Sequence, residues 1–164
     1  MGFILAQALT GLSNAAALFL VASGLSIIFG VTRIVNFAHG SFYMLGAYIA
    51  YTTMSMLPGI IGFWASVAIT GVAVGLIGVV VELVVLRQVY KAPELFQLVA
   101  TFGVILVVQD LALLTWGPED LIGSRAPGLE SVVYIMGEAI PEYDLAIIAL
   151  TPVVLFAIWY LFNR

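Results

Sequence analysis

Along this chain the apolar residues run in long stretches, and the few charged residues fall between them. A membrane-crossing helix needs about 20 mostly apolar residues, and the charge spacing leaves five windows of that kind. No charged residue occurs between Met1 and Thr32, so a first span lies within residues 3–29, with Gly30 as its expected stop. Residues 37–57 give a second span, ended by Pro58-Gly59, and residues 60–86 a third, long enough to cross with tilt although Glu82 sits near its end. Residues 95–116 form a fourth, closed by Gly117-Pro118, and residues 145–162 a fifth. These continuous runs lack the two-residue alternation of an outer-membrane barrel. The pattern predicts an all-α, polytopic transmembrane helical bundle, one domain over residues 1–164.

Composition supports this. Hydrophobic residues make up 63% of the chain and charged residues 9%, too little polar surface for a water-soluble domain. Five basic and nine acidic residues give a formal charge of -4, with no basic face to bind nucleic acid. The absence of cysteine removes disulfides, thiolate metal sites and cysteine nucleophiles together. His39 is the single histidine, and no carboxylates stand at a metal-ligand spacing from it, so no metal site is expected.

Short cytoplasmic loops retain Lys and Arg. Arg87 and Lys91 share one loop, Arg33 lies in another and Arg164 ends the sequence. With five spans and these cytoplasmic anchors inside, the N-terminus is outside. The loop 118–144 is then extracytoplasmic, with six acidic residues against the single Arg125. A cleaved signal peptide is the rival for the first span, but no basic n-region precedes it and no small-residue cleavage site follows a short apolar run. Within the outer loop, SVVYIM at residues 131–136 is β-branched and aromatic, bounded by Pro127-Gly128 and Gly137, and predicts a small strand or interfacial segment. It serves either as a lid on the helix ends or as a docking surface for an external partner.

Small residues let helices approach closely in a membrane. Ala22, Ser26 and Gly30, and Gly71, Gly75 and Gly78, are expected to form contact stripes.

Polar residues inside the spans are costly and so carry more information. Asn36 precedes the second apolar run, where its side chain can cap the helix, making His39 the third helical residue. Capping and an Arg33 anchor account for these residue types; alternatively Asn36, His39, Gly40 and Ser41 begin a polar path that uses a helix terminus as a binding element. Gln109 and Asp110 lie in the outward third of the fourth span, with Gln97 and Thr101 deeper. Asp110 either reaches the outer interface, near the belt residue Trp116, or joins that path. Glu82, five positions before Arg87, is expected to snorkel to the inner surface. A hydrolase built from Ser41 and His39 fails on geometry, because residues two apart on a helix point roughly 200 degrees apart. A secondary carrier or channel using His39, Glu82 or Asp110 as a proton relay remains a distinct class.

The run IIFGVTRIVNFAHGSFYMLGAYIA, with ATFGVILVVQDLALLTWGP later, resembles the branched-chain amino acid ABC transporter permeases. The resemblance covers essentially the whole chain in order. It implies an inner-membrane subunit of a bacterial or archaeal ATP-driven importer that does no chemistry itself. Such a subunit would receive Leu, Ile or Val from a periplasmic or extracellular binding protein and work beside a second permease. Two cytoplasmic ATPase subunits would bind the ATP and Mg, leaving no cofactor in this chain. Similar permeases serve urea, short amides or other neutral amino acids. Family members run to nearly twice this length, so these residues are expected to be an N-terminal half or a truncated form, not competent to transport alone.

Overall fold

A computed structural model describes residues 2–33, 36–57, 59–123 and 126–163. The chain divides into two units, Leu25–Ser124 on one hand and Met1–Gly24 with Arg125–Arg164 on the other. The arginines at 125 and 164 lie outside the described residues.

Helix α1, Gly2–Thr32, runs uncharged for 31 residues and carries the division between the units within it. It does not stop at Gly30. Arg33 takes the left-handed conformation (φ 56°), and its amide bonds the Phe29 carbonyl at 2.8 Å, a left-handed C-terminal cap on a non-glycine residue.

In the unit Leu25–Ser124, α2 (His39–Met56) packs on α3 (Gly59–Val81) and on α5 (Glu94–Trp116). Between the last two, α3 continues through a π turn, Glu82–Leu86, into the short α4, Arg87–Val89. Pro93 opens α5 with its fixed φ, and Gly117, at φ 81°, closes it with its amide on the Leu113 carbonyl at 2.9 Å. Thr101, Val104, Val108 and Ala112 recur at helical spacing on the buried face of α5. Val104 and Val108 meet Ala38 and Leu45 in the core, with Phe42, Ile77, Val81 and Trp116 packed around them.

In the other unit, β1 (Val132–Ile135) pairs antiparallel with β2 (Glu138–Pro141). The two-residue connection Met136-Gly137 has both φ angles positive (54° and 85°), the requirement of the turn that matches strand twist. Met136 is therefore turn and not strand. Helix α6, Glu142–Phe162, follows directly and is tied to the start of the hairpin by the Glu142 amide on the Ser131 carbonyl at 3.1 Å. Glu142 and Asp144 in its first turn complement the helix dipole.

Among the described residues, four segments are long and apolar enough to cross a membrane: Gly2–Val31, Gly59–Val89, Glu94–Trp116 and Glu142–Phe162. The helix of the third expected span, 60–86, runs on to Val89. The second falls short: α2 has 18 residues, but His39, its tyrosines and its hydroxyl residues leave it outside the apolar class. The wide exposure of Leu, Ile, Val and Phe on the four apolar helices suits contact with acyl chains and neighbouring helices.

Candidate translocation site

At the start of α2 the backbone turns before it becomes helical. The Asn36 side-chain oxygen accepts a hydrogen bond from the Ala38 amide at 3.1 Å, and the His39 amide bonds the Asn36 carbonyl at 3.1 Å. Asn36 is buried (5% exposed), so its polar atoms need these partners. The side chain thus does the work of a cap, but in a turn ahead of the helix. His39 is the first helical residue, not the third.

Asn36 and His39 line a cavity of about 450 Å³ together with Glu82 from the start of the π turn. The rest of its wall is apolar or bare, including Phe42, Val74, Gly75 and Gly78. A Cβ at Gly71, Gly75 or Gly78 would meet nothing within 4 Å, so this glycine row is not a helix contact among the described residues; two of its members shape the cavity instead. Gly40 is exposed and Ser41 buried, and neither lines the cavity.

Glu82 is engaged by Tyr90, whose hydroxyl donates to its carboxylate. Partial burial, and then the bond to Glu82 and its charge, push the Tyr90 phenol up to about 12, with Arg87 pulling the other way. The anchors Arg33, Arg87 and Lys91 are exposed. Arg33 shares a cleft of about 390 Å³ with Glu94 and Gln97, and Gln97 donates to the Ala92 carbonyl at 3.0 Å.

Gln109 and Asp110 are not brought to this site. Both are exposed, on the side of α5 away from the buried row Thr101, Val104, Val108. Phe37 stacks on Phe102 with ring centroids 6.0 Å apart, which sets the level of the Asn36 turn on α5. Asp110, eight residues further along α5, stands about 12 Å beyond that level.

The other end of α2 holds features that sequence reading missed. The Trp116 indole donates to the Thr52 hydroxyl at 2.7 Å and stacks on Tyr48 with centroids 5.1 Å apart. Trp116 is thus a tie between α5 and α2 and not simply a belt residue. Beside it a second cavity, about 490 Å³, is lined by Tyr43, Tyr48, Tyr51, Met44, Met54 and Asp120, among others. The run of tyrosines in a helix otherwise expected to be apolar was the available signal. Among the described residues no group of three or more His, Asp or Glu side chains is arranged to hold a metal ion.

Four segments of the described residues that are long and apolar enough to cross a membrane make this an array of the kind found in multi-pass membrane proteins. The chain matches the family described as branched-chain amino acid transport system, permease component, over residues 7–164, and it belongs to that family. Its members are multi-pass permeases of ABC transporters, transport subunits that are not themselves catalytic and generally carry no cofactor. The high-affinity branched-chain amino acid transport system permease protein LivH of Salmonella typhimurium is 28% identical over 148 residues, covering 84% of this chain and 46% of the relative. LivH of Escherichia coli K12 is 27% identical with the same coverage, and BraD of Pseudomonas aeruginosa 25% identical over 96% of this chain and 52% of its own length. The chain therefore spans about half the length of the curated relatives it matches. No solved structure matches it.

Proposed function

We propose that this chain contributes the helices of residues 1–164 to the permease subunit of an ATP-driven importer for Leu, Ile, Val or a related neutral solute. The match to the permease family over residues 7–164 carries this reading. The partners follow from it: a second permease, two ATPase subunits that bind ATP and Mg, and an external substrate-binding protein. Urea and short amides are the alternative substrates, since the polar groups on α2 suit a neutral or zwitterionic solute.

The same reading makes α2 a fifth crossing helix. Eighteen residues rise about 27 Å, and the hydroxyls of Thr52, Thr53 and Ser55 bond carbonyls of their own helix at 2.7–3.1 Å, which lowers the cost of burying them. Five crossings keep Arg33, Arg87 and Lys91 on the cytoplasmic side with the N-terminus outside; a non-crossing α2 would separate Arg33 from the other two. Asn36 and His39 then open the inner end of the path, with Gly40 and Ser41 beside them. Gln109 and Asp110 face protein or water in the assembly, because a carboxylate against acyl chains is costly.

The test is leucine uptake by the assembled importer in vesicles. ATP-dependent uptake that survives a proton uncoupler supports the reading. Uptake that needs no ATP and collapses with the proton gradient would establish a secondary carrier, the role for His39 and Asp110 in the rival class. Unchanged uptake in both Asn36→Ala and His39→Ala, at normal expression, removes these residues from the path.

A further inference from the structure

The cavity at the Trp116 end of α2 has a chemistry of its own. Tyr43, Ala47, Tyr51 and Met54 follow one another at helical spacing along its wall, and Asp120 reaches it from the segment after α5. The Tyr43 and Tyr51 hydroxyls and the Asp120 carboxylate have no hydrogen-bond or ion-pair partner among the described residues. Among the described residues, no Lys, Arg or His lines the cavity. Its volume, about 490 Å³, is that of a small-molecule site.

We infer that this cavity binds the ammonium end of a neutral amino acid with an apolar side chain. This rests on the importer reading above and gives it a receiving site at the outer end of α2. A carboxylate beside aromatic faces holds a cation and repels an anion. The unused tyrosine hydroxyls donate to the carboxylate of the zwitterion. Met44 and Met54 are flexible enough to follow the different branching of Leu, Ile and Val. A primary ammonium also occurs in the phosphatidylethanolamine headgroup, and the test separates the two sources.

Because the chain has no cysteine, a single Ala47→Cys reports from inside the cavity, with Met56→Cys, exposed and not in its lining, as control. The complete importer is reconstituted in phosphatidylglycerol vesicles, and thiol labelling of this chain is followed by mass spectrometry. Leucine and 3-methylbutylamine, which keeps the ammonium but lacks the carboxylate, should both slow labelling at position 47 and not at position 56. The anion 4-methylpentanoate should not. Asp120→Asn should raise the half-protecting leucine concentration by about tenfold or more, the usual effect of losing a charged hydrogen-bond partner. Tyr51→Phe should weaken protection by leucine and leave that by the amine. Equal protection by 4-methylpentanoate, or none by leucine in an importer that still takes it up with ATP, overturns the site and leaves the importer reading standing. Loss of labelling on adding phosphatidylethanolamine, without amino acid, assigns the cavity to lipid and also overturns the proposal. If ATP-driven uptake is itself absent, the importer reading fails, while protection by free leucine still decides the site.

Discussion

Replacing Gly62 by alanine should break the turn between α2 and α3 while leaving the helix propensity of α3 improved. A Cβ built on Gly62 would lie 1.8 Å from the Leu57 carbonyl oxygen and 2.5 Å from its carbon, where real contacts do not fall below 3.0 Å. The main chain must therefore move by at least the difference, 3.0 − 1.8 = 1.2 Å. The obstacle is backbone, not the end of a flexible side chain. Leu57 is also held, its amide bonded to the Thr53 carbonyl at 3.0 Å, so relief comes only by shifting the end of α2. Overpacking of this kind costs about 2–3 kcal/mol, against which alanine regains about 1 kcal/mol of helix propensity, leaving a net loss of about 1–2 kcal/mol. Gly71 on the same helix is the control, since a Cβ there meets nothing within 4 Å; Gly71→Ala should be neutral or stabilise by about 1 kcal/mol. Both variants are compared by denaturation in detergent, with the fluorescence of Trp64 and Trp116 as reporter. Equal stabilities for the two variants, or Gly62→Ala at or above the parent, would refute the steric argument.

Other outcomes follow from single contacts. Trp116→Phe keeps the stack on Tyr48 but loses the 2.7 Å bond to Thr52, and should cost about 1 kcal/mol; a double-mutant cycle with Thr52→Val should find the two losses non-additive. Ser66→Ala should be neutral or slightly stabilising in the same denaturation assay, because the Ser66 hydroxyl is fully buried with no hydrogen-bond partner among the described residues. The Tyr90 phenol, raised from 10.0 to about 12, favours the folded state below pH 10, and this contribution fades as pH climbs from 10 through 12. In an ultraviolet titration, Tyr90→Phe should remove a late-ionising tyrosine; an unchanged high-pH limb would count against the bond to Glu82.

The fold was legible where punctuation was strong. Pro93 and Gly117 bracket α5 because one lacks an amide and the other takes a positive φ, and the expected span 95–116 lies within one residue of the observed Glu94–Trp116. Gly30 misled because glycine is favoured at a helix stop but not required: Arg33 adopts the left-handed conformation three residues later. Arg87 set the expected end of the third span at residue 86, but a helix can carry a charged residue along its side, and this one continues to Val89. The strand in SVVYIM could be read from its side chains, but its partner, with Glu138 and Pro141, has no strand composition and is defined by pairing alone. At the site, Asn36 and His39 were visible as neighbours. Glu82 joins them only through the packing of α3 on α2, and Thr52 meets Trp116 across 64 positions. Such meetings leave no trace in local spacing.

The π turn has a geometric consequence. Over Glu82–Leu86 the backbone bonds reach one residue further than in the α-helical turns on either side. The long helix from Gly59 to Val89 thus changes its winding once, near the Arg87 end. Arg87 and the residues after it project at a different angle around the axis from the one an unbroken α-helix would give them, while Glu82, where the wider turn begins, stands on the cavity wall.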